Sequence, residues 1–335
     1  MSRDLRLGLL RLVDSAPVVM AAAEGLFAAE GLSVALSVEP SWANIADKLS
    51  YGALDAAVIL PPLAIAIAAG LRGARRRLIL PMGLSTGGNA LTVSPDLAVR
   101  VGITGSALGR ARRLKAVLSE IPPPRLAVVH GYSTHNLLLR YWLAAGGIDP
   151  DRDVEIITLP PEATADALAA GTIDGFCAGA PWGAVAQASG AGMRLIGTTE
   201  IWPAHPEKAL AVDAAVAEDD PAALRALVRA LLRAGRPCDD PGSDARLVAA
   251  LARADGLALP EDATLQALAG PDRPGFSGAA SVPYPSHGAW FGEQMRRWGW
   301  IDGALPDLYR PTLHDEAASD LGLSVLTQPQ MTLPS

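Results

Sequence analysis

Short apolar runs alternate along the chain with stretches in which apolar positions recur every three or four residues, so strands alternate with helices. Residues 5–10 read as a strand. Ser15 is placed to cap a helix running to about residue 30, with Pro17 in its first turn and Gly31 as its stop. Residues 32–38 alternate as a strand, Ser41 caps a helix from Trp42 to near Gly52, and residues 56–60 form a buried strand. A strand at 126–129 feeds a helix over 137–145 that stops at Gly146-Gly147. Further helices are predicted at 221–234, 243–254 and 261–269. A last one over 286–301 carries Trp290, Trp298 and Trp300, read as packing residues, with an exposed partner surface as the alternative.

The pattern repeats weakly. A strand ending at Pro40 leads through a helix to Gly52-Ala53-Leu54-Asp55, and a strand ending at Pro160 leads through a helix to Gly171-Thr172-Ile173-Asp174. Two similar α/β lobes joined by two crossovers follow from this echo. The expected division is 1–93 with 208–335 for the first lobe and 94–207 for the second. A chain that crosses twice between lobes makes a hinged cleft, and ligands bind at such junctions.

The length of 335 residues suits two lobes, and a hydrophobic half with 19% charged residues suits a packed core. A net charge of −7 argues against direct nucleic-acid binding, and Arg75-Arg76-Arg77 reads as a solvated loop. Cys177 reads as a small core residue and Cys238 as part of a Pro-Asp-Gly loop; neither has a partner at metal-ligand spacing. No metal or cofactor is expected. The first residues lack an apolar stretch followed by a cleavage site, and the apolar run 54–71 is broken by Asp55, Pro61 and Pro62. A cytoplasmic protein without a membrane span is therefore expected.

Several turns place chemistry at helix starts. Gly131-Tyr132-Ser133-Thr134-His135-Asn136 presents hydroxyls, backbone N–H groups and an imidazole at a helix N-terminus, where an anion is favoured; an ordinary capped helix is the plain alternative. Trp42 has an indole N–H to offer on a cleft lip, or else fills the core. Gly87-Gly88-Asn89 pairs close backbone approach with an amide donor, and Gly179-Ala180-Pro181-Trp182 is a strand-to-helix turn; each also reads as a plain turn. Of 28 basic residues only Lys48, Lys115 and Lys208 are lysines. Lys208, at the return crossover, suits a buried anion that needs a cation, and suits equally a surface pair with Glu207. No nucleophile elbow, phosphate loop or metal helix is present, so no catalytic residue is assigned.

The tracts Ala23-Glu24-Gly25-Leu26-Phe27-Ala28-Ala29-Glu30-Gly31-Leu32, Glu39-Pro40-Ser41-Trp42-Ala43-Asn44, Tyr141-Trp142-Leu143-Ala144-Ala145-Gly146-Gly147-Ile148-Asp149-Pro150, Phe176-Cys177-Ala178-Gly179 and His205-Pro206-Glu207-Lys208 resemble the NrtA/CmpA family of transporter binding proteins. They resemble still more closely the cytoplasmic NasS-type nitrate/nitrite sensors. The resemblance implies a two-lobed type II periplasmic-binding fold and a pocket for nitrate or nitrite made by Trp42, Asn89, His135, Gly179 and Lys208. It also implies a partner, an ANTAR-domain RNA-binding antiterminator that the sensor sequesters until the anion binds. A lysine at 208 favours a bare monovalent anion, where bicarbonate binders carry an acidic residue and a cation. Ala180 and Gly183 depart from the family, which often carries Glu and Asn there, and the C-terminal third matches loosely. A transporter binding protein for nitrate or another small oxyanion is the alternative, and a thiamine-precursor-synthase-like enzyme a more distant one.

Overall fold

The computed structural model describes residues 4–253, 255–324 and 326. Among the described residues ten strands are β1 (Asp4–Leu9), β2 (Ser33–Val38), β3 (Ala56–Ile59), β4 (Leu78–Thr86), β5 (Asn89–Val93), β6 (Arg125–Val128), β7 (Glu155–Thr158), β8 (Gly175–Gly179), β9 (Met193–Gly197) and β10 (Pro206–Asp213). They form two five-stranded sheets, ordered β2-β1-β3-β10-β4 and β7-β6-β8-β5-β9, with helices against them. This is the α/β periplasmic-binding fold expected from the sequence. In each sheet three parallel strands come from one βαβαβ run, and two further strands complete it, the inner of which (β10 or β5) is antiparallel to both its neighbours.

The internal echo has a physical basis. Asp55 accepts from the backbone N–H of Arg6 at 2.8 Å, and Asp174 accepts from that of Arg125 at 2.7 Å. The two arginines in turn donate to the carbonyls of Gly52 (2.9 Å) and Gly171 (2.8 Å). The Gly-x-x-Asp turn thus clamps the start of the first strand in both halves, and the two halves share the local order of their first three strands.

The chain passes from the first sheet to the second at Gly87-Gly88, both left-handed (φ 65° and 82°), a conformation glycine adopts without a Cβ penalty. β5 therefore lies in the second sheet, between β8 and β9, although the pattern placed residues up to 93 in the first half. The return runs through residues 198–205 into β10, which inserts antiparallel between β3 and β4.

Four helix expectations are corrected. The expected helix from Ser15 breaks into Ala16–Ala23 and Leu26–Ala29, because Gly25 turns left-handed (φ 67°) between them; the Ser15 hydroxyl bonds Leu10 O at 3.0 Å instead of capping. The helix predicted over 221–234 runs Pro221–Cys238, with Pro237 tolerated in its last turn, so Cys238 is buried at a helix end and not in a loop. The helix predicted over 243–254 spans Asp244–Ala252, and residue 254 lies outside the described residues. The helix predicted over 286–301 spans Pro285–Arg297, so Trp298 and Trp300 lie past its end; the tryptophans still pack, Trp290 lying 4.4 Å from Trp202 between ring centroids, and Trp298 and Trp300 flanking the Arg140 guanidinium. Among the described residues no helix is long and apolar enough to cross a membrane.

Candidate functional site

The two crossovers and the turn after β1 meet between the sheets. That turn, Val13–Ser15, is fastened to the second sheet: Val13 N donates to Ala180 O at 2.9 Å, and Ala180 N donates to Gly88 O at 3.1 Å. The Trp182 indole donates to Arg11 O at 3.1 Å. Asp14 is thereby held with its carboxylate under the end of β8. A Cβ added to Gly179 would lie 3.0 Å from Asp14 Oδ2 and 3.2 Å from Asn89 Oδ1, so glycine is what leaves these two groups room.

Lys208 on β10 is 2% exposed and bonded on two sides. Its Nζ lies 2.8 Å from Asp14 Oδ2 and 2.7 Å from Glu207 Oε1. The same ammonium sits 5.6 Å from the centroid of the Trp42 ring, a cation–π distance. Trp42 is the first residue of helix Trp42–Ser50, whose N-terminus is capped by Ser41, as expected. His135 is the second residue of helix Thr134–Ala145, capped by Ser133, and its Nδ1 lies 3.2 Å from Glu207 Oε1. Asn89 faces Gly179 across β5 and β8. One chain of contacts therefore joins Trp42, Asn89, His135, Gly179 and Lys208.

Lys208 is neither a surface pair nor a free cation. Two carboxylates secure it, and although burial alone would lower its pKa, Asp14 and then Glu207 raise it above the ordinary lysine value. Burial would raise Glu207, but Lys208 and then His135 hold its carboxyl well below the usual range. Asp14 fares differently: burial raises it, and the Lys208 ammonium it shares with Glu207 does not offset that. The pair's two members thus shift in ways that look inconsistent until the sharing is counted, because the lysine has two partners and Asp14 has a divided one.

Asp14, Ser85, Thr134, His205 and Glu207 complete the cluster without having been assigned from sequence. Ser85 Oγ donates to Asp14 Oδ1 at 3.1 Å. The Thr198 hydroxyl donates to Asn89 O (3.1 Å), His205 Nε2 lies 2.7 Å from that hydroxyl and Nδ1 3.2 Å from Pro206 O, and burial lowers the His205 pKa. The one available signal for Asp14 was an acid alone in the apolar run Leu9-Leu10-Arg11-Leu12-Val13-Asp14-Ser15-Ala16.

Buried polar groups are ordinarily hydrogen-bonded. Here Trp42 Nε1, Asn89 Oδ1 and Nδ2, Thr134 Oγ1 and His135 Nε2 have no partner within the described chain. The indole, the amide nitrogen and the hydroxyl can donate to an oxyanion, while Asp14 Oδ2 and Glu207 Oε2, also without a hydrogen-bond partner, are acceptors. No cluster of three metal-ligating side chains occurs among the described residues. The departures at Ala180 and Gly183 have a local consequence. With Gly88, Thr92 and Ala178 they line a cavity of about 130 Å³, whose far wall includes Gln266, Gly270 and Asp272.

Two sheets around an enclosed polar cluster are the fold of solute-binding proteins. Residues 1–252 match the model of the NMT1-like family, and the chain belongs to that family. It is 34% identical over 350 residues to the nitrate import ATP-binding protein NrtC of Synechocystis sp. PCC 6803, covering 95% of this chain and 50% of NrtC. It is equally identical, 34% over 346 residues, to the bicarbonate transport ATP-binding protein CmpC of Synechococcus elongatus, covering 99% and 51%. The chain thus spans about half the length of these two relatives. It is 32% identical to the nitrate/nitrite binding protein NrtA of Synechococcus elongatus, covering 96% of this chain and 78% of NrtA. The crystal structure of the periplasmic nitrate-binding protein NrtA from Synechocystis PCC 6803 superposes with a TM-score of 0.89 at 26% identity, over 96% and 89% of the two chains. A sulfonate-binding protein from Escherichia coli, at 15% identity and a TM-score of 0.69, shares the fold.

Proposed function

We propose that the chain binds a small monovalent oxyanion, nitrate or nitrite, between its two sheets. The observation that carries this is the set of buried, unpartnered polar atoms on Trp42, Asn89, Thr134 and His135, joined through contacts to Lys208. An oxyanion supplies acceptors to the indole and amide N–H groups and to the Thr134 hydroxyl, and the dry surroundings strengthen each bond. The names of the NrtA relatives support the choice of anion. No catalytic role is proposed.

The role served by binding has two readings. Delivery of the anion to a permease is favoured by the transport functions in the names of the relatives. The second is a cytoplasmic sensor that holds an ANTAR-domain antiterminator and releases it when the anion closes the lobes, supported by the NasS-like His205-Pro206-Glu207-Lys208 tract. A hundredfold release would need roughly 2.7 kcal/mol of coupling.

Isothermal titration with nitrate, nitrite and bicarbonate, without added metal, tests the binding itself. Saturable nitrate or nitrite binding that weakens at least tenfold, about 1.4 kcal/mol, in His135→Ala is expected. Folded protein that takes up neither ion would end the assignment. Release of a co-purifying RNA-binding protein by nitrate would favour the sensor over the carrier.

A further inference from the structure

The anion site proposed above is shut in. Trp42, Asn89, Thr134, His135 and Lys208 are each at most 2% exposed, so an ion from solution reaches them only if parts of the chain separate. One seam between the two halves runs past the ends of β1, β2 and β7. Leu10, Arg11, Glu39 and Pro40 line it on one side, and Pro161 and Glu162 on the other. The gap between them is about 10 Å³, roughly what a single water needs.

The Arg11 side chain spans this seam. It follows β1 in the first half, and its Nη1 donates to Glu162 Oε2 in the second half at 2.9 Å. Its Nε donates to Leu257 O at 2.8 Å and its Nη2 to Ala258 O at 2.6 Å. These two carbonyls belong to a further crossing of the chain between the halves. Helix Asp244–Ala252 packs against helix Ala16–Ala23, which follows β1, and helix Glu261–Ala269 packs against helix Trp182–Ala188, which follows β8. Leu257 and Ala258 lie between the two packed helices. Ala258 is left-handed (φ 48°), a conformation that costs an L-residue energy, and its carbonyl meets Arg11. The guanidinium also lies 5.9 Å from the centroid of the Trp182 ring. All three nitrogens of one planar fork are used, which the compact ammonium of a lysine could not reproduce. The Arg11 and Glu162 side chains are each 37% exposed, so water can take over their bonds when the seam opens and no charge is stranded.

We propose that Arg11 is the latch of the anion site, a positioning residue that acts across the seam and not on the ion. With the seam closed, its fork holds the first half, the second half and the C-terminal crossing together over the bound anion. Release of the anion then waits on breaking these bonds. Entry does not, because it starts from protein in which the seam is open and the bonds are unmade. Arg11 therefore sets how long the anion stays, which matters equally to a carrier that must hand it over and to a sensor that must reset.

The inference rests on the anion-binding reading, and one set of kinetic measurements separates the two. Nitrate is mixed rapidly with the protein while tryptophan fluorescence is followed, Trp42 in the site serving as reporter. The slope of the observed rate against nitrate concentration gives entry, and the intercept gives release. Arg11→Ala is expected to speed release roughly tenfold and to change entry by less than about twofold. Glu162→Gln removes one of the bonds and leaves those to Leu257 and Ala258, so it should speed release by a smaller factor. Thermal melts add a readout that a merely structural role would not give: Arg11→Ala should melt with the parent in the absence of nitrate and below it in saturating nitrate. Release by Arg11→Ala within about twofold of the parent overturns the latch while leaving the anion site standing. An equal loss of melting temperature with and without nitrate overturns it as well. Absence of nitrate binding by the folded, unmodified protein overturns the anion-binding reading and this inference with it.

Discussion

Replacing Lys208 by Met tests the charge balance on which the site depends. The substitution keeps most of the side-chain volume and removes an ammonium held 2.7 Å from Glu207 Oε1 and 2.8 Å from Asp14 Oδ2, both carboxylates at most 2% exposed. Removing one partner from a buried ion pair costs about 3–5 kcal/mol, and here two carboxylates lose the same cation. At roughly 2 °C per kcal/mol for a chain of this size, the melting temperature should fall by ~6–10 °C near neutral pH. The deficit depends on pH in a definite sense. Glu207 has a depressed folded-state pKa, so its contribution is present above the unfolded carboxylate value of 4.5 and is lost as pH falls through the folded value. Asp14 is raised, so its cost of ionisation in the fold grows as pH rises through its folded value. Without the ammonium both carboxylates are stranded when ionised, and the variant should approach the parent as acid protonates them. Urea unfolding of the two proteins at mildly acid and mildly alkaline pH reads this directly. Adding Glu207→Gln to Lys208→Met should recover part of the loss, since the two changes act on one network. A deficit below about 1 kcal/mol at neutral pH, or one that widens on acidification, would refute the reasoning.

Gly179→Ala places a methyl 3.0 Å from Asp14 Oδ2 and 3.2 Å from Asn89 Oδ1, so thermal melts should show a loss of about 1–3 kcal/mol and titration a weakened anion. Trp182→Phe keeps the ring and removes the N–H bond to Arg11 O, so denaturation should report a loss of about 1 kcal/mol with little change in the site.

Local instructions in this chain are plain because they act between near neighbours. Ser41 and Ser133 accept from the N–H three residues on, as their place before an apolar periodic run implies, and the repeated Gly-x-x-Asp turns mark equivalent strands in both halves. Alternating strands and helices settled the α/β class, and the five residues singled out by family likeness do come into one cluster. The sequence could not show how that cluster is balanced. Asp14 and Lys208 are far apart in the chain, and only the insertion of β10 between β3 and β4 brings them to 2.8 Å. Nor could it show that β5 belongs to the second sheet, since strand pairing is decided by contacts between distant segments and not by the alternation within one. Burial set the rest: a lysine and two acids that look ordinary in sequence become a coupled cluster once packing removes water, because charge is costly there unless partners are shared.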